Sequence, residues 1–255
     1  MTTIIAIGNQ KGGVAKTTTC LSLGAALAEL GQTVLLIDAD PQGSLTLSLG
    51  VQPDDLRRSL EDALLGSDSI MSVSRESSVF GLDLVPAGRG LITVDKLLYS
   101  RAQYEYNLKQ ALATLPARVY DTVLIDCPPT LATLTLNALT AADQLIIPVQ
   151  CEYYAARALR RMIELVQAVR ARTNPRLTYR VLVTLYDRRN AISRVIYEQL
   201  QPGLGAALFN TIIEIDTRLR ESPVYGQPVT VYAPTTRGAE QYRALARELT
   251  QHDPS

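Results

Sequence analysis

The chain has 255 residues, of which 47% are hydrophobic and 20% charged. This length is enough for a large buried core. The 25 basic and 25 acidic side chains give zero net charge, which argues against a strongly basic nucleic-acid binder and a polybasic membrane protein. The charges are unevenly divided: residues 1–150 carry 10 bases and 15 acids, whereas residues 151–255 carry 15 bases, all arginines, and 10 acids.

Cysteine and histidine usage indicates a cytoplasmic protein. The three cysteines, Cys20, Cys127 and Cys151, lack the paired spacing of a disulfide framework. The single histidine, His252, excludes the common zinc sites. The N-terminus lacks the features of a signal peptide, and polar residues interrupt the most apolar stretch, residues 131–149, unlike a membrane span.

Short apolar runs alternate with longer helical patterns along the chain. Strands are predicted at Thr3–Ile7, Thr33–Ile37, Leu82–Val85, Thr122–Ile125, Leu145–Val149 and Arg180–Leu185. Helices are predicted at Thr17–Leu30, Leu91–Leu115, Ala155–Arg172, Ile192–Leu200 and Arg237–Thr250. Nearly continuous apolar strands are typical of a parallel sheet buried on both faces. We therefore expect an α/β fold in which one domain, residues 1–255, contains a doubly wound, mostly parallel sheet flanked by helices.

A glycine-rich loop, residues 9–19, joins the first predicted strand to the first predicted helix. Glycines allow backbone N–H groups to converge on a phosphate, and the helix N-terminus adds partial positive charge. A lysine after such a loop neutralises the β- and γ-phosphates, and the next hydroxyl ligates Mg²⁺. Lys16 and Thr17 occupy these positions. The alternative, a solvated turn with a chance lysine, fits this placement poorly, and a dinucleotide site is disfavoured because G-x-G-x-x-G is missing.

The loop departs from G-x-x-x-x-G-K-[ST], since Gln10 and Ala15 stand at glycine positions and Lys11 precedes the glycine pair. It resembles the deviant Walker A motif, K-G-G-x-x-K-[ST], of the ParA/MinD superfamily of ATPases. The resemblance implies a P-loop NTPase fold that binds ATP and Mg²⁺. The residues implied to contact the nucleotide are Lys11, Gly12, Gly13, Val14, Ala15, Lys16, Thr17 and Thr18.

Two carboxylates follow predicted strands, at the edge of the sheet where ligands bind. Asp40 stands in Asp-Ala-Asp-Pro-Gln-Gly, which resembles the switch I sequence of the family. It is suited to orient an attacking water or a Mg²⁺-bound water; the alternative is an N-cap for the next helix. Asp38 is suited to a structural role. Asp126 resembles the Walker B carboxylate and is placed to hold Mg²⁺ through water.

Three later segments extend the resemblance to ParA and Soj over nearly the whole chain. They are residues 147–154, with the pattern P-x-Q-x-E-[FY], and residues 182–190 and 218–228. The resemblance implies an ATP-dependent homodimer with two nucleotides between the subunits. Lys11 would reach the partner's phosphates, Lys16 would contact the phosphates of its own subunit, and Asp40 would position the water. Hydrolysis would be slow and stimulated by a ParB-like partner.

Ala15 departs from the family loop, which usually has glycine there. If the position requires a positive φ, a Cβ costs about 1–2 kcal/mol. The backbone N–H groups remain, so we expect ATP binding to survive. Slower assembly or hydrolysis, or no change at all, are both open.

Four arginines, Arg188, Arg189, Arg218 and Arg220, lie in the two C-terminal segments. In Soj-like relatives the positions matching Arg189 and Arg218 contribute to sequence-independent DNA binding by the ATP dimer. The alternative is an ordinary solvated or salt-bridged surface. Because no module offers base-edge readout, we expect weak, nonspecific binding of DNA phosphates and an association with the nucleoid.

The last predicted helix bears on the alternative of a MinD-like membrane-positioning ATPase. Its narrow apolar stripe, Tyr242, Leu245, Ala246 and Leu249, stands beside mixed charges. Such a helix is more typical of core packing than of a membrane anchor, so we expect no stable membrane association. Two further alternatives stay open: a scaffold whose hydrolysis is impaired by Ala15, and a ParA-like ATPase that positions a protein cargo. The leading interpretation is a partition ATPase that segregates a chromosome or plasmid.

Overall fold

The computed structural model describes residues 2–251, so His252 and the polar tail after it lie outside the described residues. The strands are β1 Thr3–Ile7, β2 Val34–Asp38, β3 Arg75–Glu76, β4 Leu82–Val85, β5 Thr122–Asp126, β6 Gln144–Gln150 and β7 Thr178–Thr184. The helices are α1 Lys16–Glu29, α2 Ser44–Ser48, α3 Leu60–Leu65, α4 Ile70–Val73, α5 Leu91–Tyr99, α6 Asn107–Ala113, α7 Thr133–Ala141, α8 Ala155–Arg172, α9 Ala191–Leu204, α10 Arg218–Glu221, α11 Val229–Tyr232 and α12 Arg237–Gln251.

One seven-stranded sheet in the order β3-β4-β2-β5-β1-β6-β7 organises the described residues. All its pairs are parallel except β3 with β4. Successive strand residues point to opposite faces. Leu35 and Ile37 therefore join one buried apolar cluster, and Val34 and Leu36 join the other. The predicted α/β fold with a mostly parallel sheet flanked by helices is confirmed.

Helices cover both faces of the sheet. The cluster that contains Leu36 also takes Leu23 from α1, Leu45 from α2 and Tyr242 from α12. The opposite cluster takes side chains from α3 to α9, including Leu139 and Met162. The strands are therefore buried from both sides, which is why their sequences are almost uniformly apolar.

The predicted helix at Leu91–Leu115 is wrong, because it is two helices, α5 and α6. Gln103, between them, has a φ of 57°, which no right-handed helix accommodates. Asn137 of α7 stabilises the break: its Nδ2 donates to Tyr104 O at 2.8 Å, and its Oδ1 accepts from Leu108 N at 3.1 Å.

Several short elements are absent from the sequence prediction. Helix α7 is missed because its Thr-Leu-Thr-Leu start has weak helix propensity, and burial in the core stabilises it instead. The two-residue antiparallel strand β3 and the four- to six-residue helices α2, α3, α4, α10 and α11 are too short to give a periodic signal.

Candidate functional site

Three adjacent strands end at the same edge of the sheet and present the predicted nucleotide-binding residues. In the central part of the sheet, β5 lies between β2 and β1, with Asp126 in register with Asp38 on one side and Ile7 on the other. The loop after β1 leads to Lys16, and the loop after β2 contains Asp40. The topology therefore brings together the lysine and the three carboxylates that the sequence analysis singled out.

Two residues of the phosphate loop have a left-handed backbone conformation. Gly13 has a φ of 74°, and Ala15, which precedes α1, has φ 63° and ψ 35°. Both φ values lie in the left-handed region. Ala15 therefore adopts the positive φ at which a Cβ is costly, and its backbone is strained. Val14 between them is buried, and its carbonyl accepts a hydrogen bond from Thr184 Oγ1 at 3.0 Å. The loop is thus attached to the end of β7.

Asn9 fixes the start of the same loop, a role that sequence reasoning missed. Its side chain is 3% exposed. Nδ2 donates to Pro148 O at 2.7 Å, and Oδ1 accepts from Lys11 N at 3.0 Å. The bond to Lys11 could have been predicted, because asparagine side chains often bond to the backbone two residues further on. The bond to Pro148 in β6 could not, because it joins residues 139 positions apart.

Lys16, Thr17 and Asp126 form the buried centre of the site. Lys16 is 8% exposed, and its Nζ lies 3.4 Å from Lys11 O. Thr17 Oγ1 donates to Asp126 Oδ2 at 2.7 Å. Within residues 2–251, buried Asp126 Oδ1 has no hydrogen-bond partner. Burial, and then the neighbouring Asp38 carboxylate, raise the pKa of Asp126 well above its usual range. A hydroxyl beside an unpartnered buried carboxylate oxygen is a donor set that fits Mg²⁺.

Asp38 and Asp40 differ in their surroundings. Asp38 is completely buried, and its Oδ2 accepts from Thr46 N at 2.8 Å and Thr46 Oγ1 at 2.6 Å. Burial raises the pKa of Asp38 to about 6. These bonds give Asp38 a structural position. Asp40 Oδ1 accepts from Gln42 N at 3.0 Å. Gly43, not Asp40, caps α2, so the N-cap alternative for Asp40 is wrong.

Lys11 lies at the rim of the loop and is ion-paired within its own subunit. Its ammonium contacts the Glu152 carboxylate, which belongs to the segment after β6. Both side chains are partly exposed, at 34% for Lys11 and 50% for Glu152. Sequence reasoning assigned no contact to Glu152, because the two residues are 141 positions apart.

Comparisons with known proteins agree with this geometry. A family model described as an AAA domain matches residues 2–179. The chain is 40% identical over 252 residues to the chromosome partitioning protein ParA of Caulobacter vibrioides, covering 98% of this chain and 94% of that protein. It is 40% identical over 247 residues to the sporulation initiation inhibitor protein Soj of Bacillus subtilis, covering 96% of this chain and 97% of that protein. The chain belongs to the ParA/Soj family of ATPases.

Solved structures place this ParA/Soj-type chain among nucleotide-binding proteins. Cobyrinic acid a,c-diamide synthase from Mycobacterium smegmatis, with bound ATP analog and magnesium, has a TM-score of 0.87 at 40% identity, covering 99% of this chain and 96% of that chain. The septum site-determining protein MinD from Pyrococcus horikoshii, complexed with Mg-ADP, has a TM-score of 0.78 at 24% identity, covering 98% and 96%. The MinD structure shows a shared fold.

In this ParA/Soj-type chain the two arginine segments lie side by side. Tyr186 N donates to Ile213 O and Ile215 N donates to Tyr186 O, both at 3.1 Å. Arg188 and Arg189 therefore follow a segment that is bonded to the residues preceding Arg218. The arginine surface is defined here as Arg188, Arg189, Arg218, Arg220 and Arg237.

Carboxylates accompany most of the arginine surface. Glu214, whose side chain is 4% exposed, pairs with Arg188 at 2.6 Å and Arg237 at 2.9 Å. Arg189 pairs with Asp187 at 3.2 Å, and the exposed Arg218 pairs with Glu221 at 2.6 Å. The exposed Arg220 makes no ion pair within the described range. Arg237 was missed because it begins α12, outside the segments that resemble the family.

Three of the four residues of the apolar stripe of α12 are buried, and the fourth, Leu249, is partly buried against the same cluster. Tyr242, Leu245 and Ala246 are 0% exposed and belong to the same cluster as α1, and Tyr242 Oη lies 3.1 Å from Thr19 Oγ1. The stripe predicted to pack in the core does so. Among the described residues, no helix is long and apolar enough to cross a membrane.

Proposed function

We propose that this protein is a partition ATPase that dimerises with ATP, binds DNA without sequence specificity in that state, and hydrolyses ATP slowly to segregate DNA. The observation that carries the proposal is the presence of two separate features in one subunit. One is a phosphate loop with its carboxylates at the sheet edge, and the other is an exposed arginine surface assembled from distant segments. The cytoplasmic, single-domain chain would be nucleoid-associated through this surface.

The nucleotide chemistry follows from the positions of the charged groups. Lys11–Thr18 would bind the phosphates of ATP, with the Lys16 ammonium on the β- and γ-phosphates. Thr17, Asp40 and Asp126 would hold Mg²⁺, which supplies positive charge against the phosphates when bound. Asp40, whose carboxylate accepts a hydrogen bond from Gln42 N in its own loop, would orient the attacking water.

Lys11 links the chemistry to dimerisation in this proposal. Its exposed position at the rim lets its ammonium leave Glu152 and reach the phosphates of a second subunit. A cation delivered by the partner stabilises negative charge that develops during phosphoryl transfer. Hydrolysis would then require the dimer, and a ParB-like protein would accelerate it.

DNA binding would be weak in one subunit, because most of the arginines already have a carboxylate partner. A phosphate must compete with Asp187, Glu214 or Glu221 for these guanidinium groups. Two subunits present twice the number of arginines, so retention would depend on the ATP dimer. Affinity should fall steeply with salt, because binding to phosphates releases counterions.

Charge reversal tests the arginine surface. We expect Arg189→Glu combined with Arg218→Glu to lower the affinity of the ATP state for a random-sequence duplex by at least about tenfold, because phosphate contacts dominate nonspecific binding. The exposed pair Arg57→Glu and Arg101→Glu makes the same change of net charge elsewhere and serves as the control. Fluorescence anisotropy over a salt series measures both. Equal retention by the two double variants would contradict the proposal.

Two other activities are separated by simple measurements. Phosphate release from ATP with DNA present, in buffer without cobyrinic acid or an amide donor, separates an ATPase from an amide-forming synthase. Co-sedimentation with liposomes against DNA separates a MinD-like function from partition. Because the stripe of α12 is already packed against α1, we expect retention on DNA and not on liposomes.

A further inference from the structure

Two glycines bring the backbones of distant segments into direct contact. Gly50 follows α2, and Gly226 ends the turn that follows α10, the helix that carries Arg218 and Arg220. Both glycines have a positive φ, 74° for Gly50 and 67° for Gly226. A Cβ built on Gly226 would lie 3.2 Å from Gly50 Cα and 3.3 Å from Gly50 N. A side chain at position 226 would therefore meet both left-handed strain and a tight contact with the Gly50 backbone.

The middle of α2 is attached to the nucleotide site. Asp38 Oδ2 accepts hydrogen bonds from both the backbone N and the Oγ1 of Thr46 in α2. The loop that enters α2, residues 39–43, contains Asp40. Leu45 is completely buried and fixes the helix against the sheet. Helix α2 is thus bonded to Asp38 through Thr46, and Gly50, two residues after its end, lies against Gly226 in the turn that follows α10.

We propose that α2 and the Gly50–Gly226 contact couple nucleotide occupancy to the position of Arg218 and Arg220. The inference rests on the proposed function and adds a route for its regulation. A ligand shifts a conformation only through contacts that differ between the two states. Among the described residues, the hydrogen bond to the Asp40 carboxylate comes from Gln42 in the same loop. The loop would therefore rearrange when phosphates and Mg²⁺ arrive, and α2 would transmit the movement.

This route differs from dimerisation in one respect. It lies within a single subunit, so ATP would improve the geometry of the arginine surface as well as doubling it. Glycine at position 226 is then a positioning residue for DNA contact, although it bears no charge and lies away from the phosphates.

A matched pair of alanine variants isolates the contact. Gly226→Ala introduces both left-handed strain and the close approach to Gly50. Gly66→Ala introduces the same kind of strain, since Gly66 has a φ of 81°, but no described atom beyond its chain neighbours would lie within 4 Å of the added Cβ. Gly50→Ala is intermediate, because its Cβ would lie 3.8 Å from Gly226 Cα, an ordinary contact. Thermal unfolding of all three variants verifies folding. If Gly226→Ala does not fold, the hydrogen–deuterium exchange of the wild type with and without ATP decides the coupling.

The readout is the affinity for a labelled random-sequence duplex with a slowly hydrolysed ATP analogue and with ADP. We expect Gly226→Ala to lower the ratio of the two affinities at least about fivefold relative to Gly66→Ala, at the low end of ordinary coupling. Affinity for the nucleotide and the dimer fraction by light scattering should stay unchanged. An unchanged affinity ratio, or a loss of DNA binding that follows a loss of dimer, overturns the inference.

Hydrogen–deuterium exchange without DNA gives a second readout that does not depend on the proposed function. We expect ATP to change the exchange of amides 218–226 in the wild type and in Gly66→Ala, but not in Gly226→Ala. If the wild type fails to bind DNA in any nucleotide state, the proposed function fails while this measurement still decides the coupling. The same exchange with and without ATP in the wild type overturns the coupling.

Discussion

At the nucleotide edge, Lys16, Asp38 and Asp126 are almost completely buried. Asp38 and Asp126 end two neighbouring central strands, and Lys16 begins α1. At the arginine surface, Arg188 and Arg189 expose 75% and 90% of their side chains, and their partners are carboxylates on loops. The first region is held in position before any ligand arrives. The arginine surface has charge without rigid placement. Its affinity for an anion therefore depends on how many arginines act together and on which contacts position them.

Lys16→Ala should give the largest effect, because it removes a buried cation from the preorganised region. We expect ATP turnover to fall by at least about a hundredfold, the scale of losing one preorganised electrostatic contact in an active site. Lys109→Ala, at an exposed position on α6, is the control and should be neutral. Phosphate release measures both. A small loss for Lys16→Ala would mean that the nucleotide edge is no more preorganised than the arginine surface.

Glu152→Gln should have a moderate effect. In the proposed function, Lys11 must leave Glu152 before its ammonium reaches the phosphates of a second subunit. Removing the carboxylate leaves Lys11 without its ion pair, so we expect ATP-dependent dimerisation to strengthen by up to about fivefold, the value of an exposed pair. Glu164→Gln on α8, also exposed, is the control. Light scattering with a slowly hydrolysed ATP analogue gives the dimer constants. A weaker dimer would instead assign Glu152 to the interface.

Ala15→Gly should give the smallest effect, because it changes only backbone strain. Relief of the left-handed Cβ, partly offset by the greater freedom of glycine in the unfolded chain, should raise the free energy of unfolding by at most about 1 kcal/mol. Gln103→Gly, at a φ of 57° far from the phosphates in sequence, provides the control for strain alone. Chemical denaturation gives both values. We expect a modest rise in ATP turnover for Ala15→Gly only; equal turnover would show that the strained loop does not slow hydrolysis.

The parts that could be predicted from sequence are those built from neighbouring residues. Lys16 and Thr17 follow a strand and a glycine pair in one continuous segment, and the apolar run before Asp126 identifies its strand. The bond from Asn9 to Pro148 and the pair of Lys11 with Glu152 join residues 139 and 141 positions apart. Such contacts depend on the order of strands in the sheet, which local patterns do not encode.

The lack of information on distant contacts also explains why the helix at Leu91–Leu115 was wrongly predicted and why Arg237 was missed. The pattern from Leu91 to Leu115 is helical throughout, and only the bonds from Asn137, on another helix, show where it breaks. Arg237 belongs to the arginine surface because it shares buried Glu214 with Arg188. No spacing in the sequence connects these three residues.

In the proposed DNA-bound state, the buried Glu214 carboxylate that pairs with Arg188 and Arg237 would affect how the protein moves along DNA. It acts as a counterion that never diffuses away, so an arginine released by one phosphate regains its internal partner at once. Exchange between internal and external anions then costs little in either direction. If the proposed DNA binding holds, such a surface would favour brief contacts and short lateral steps from one phosphate to the next over long residence at a single place.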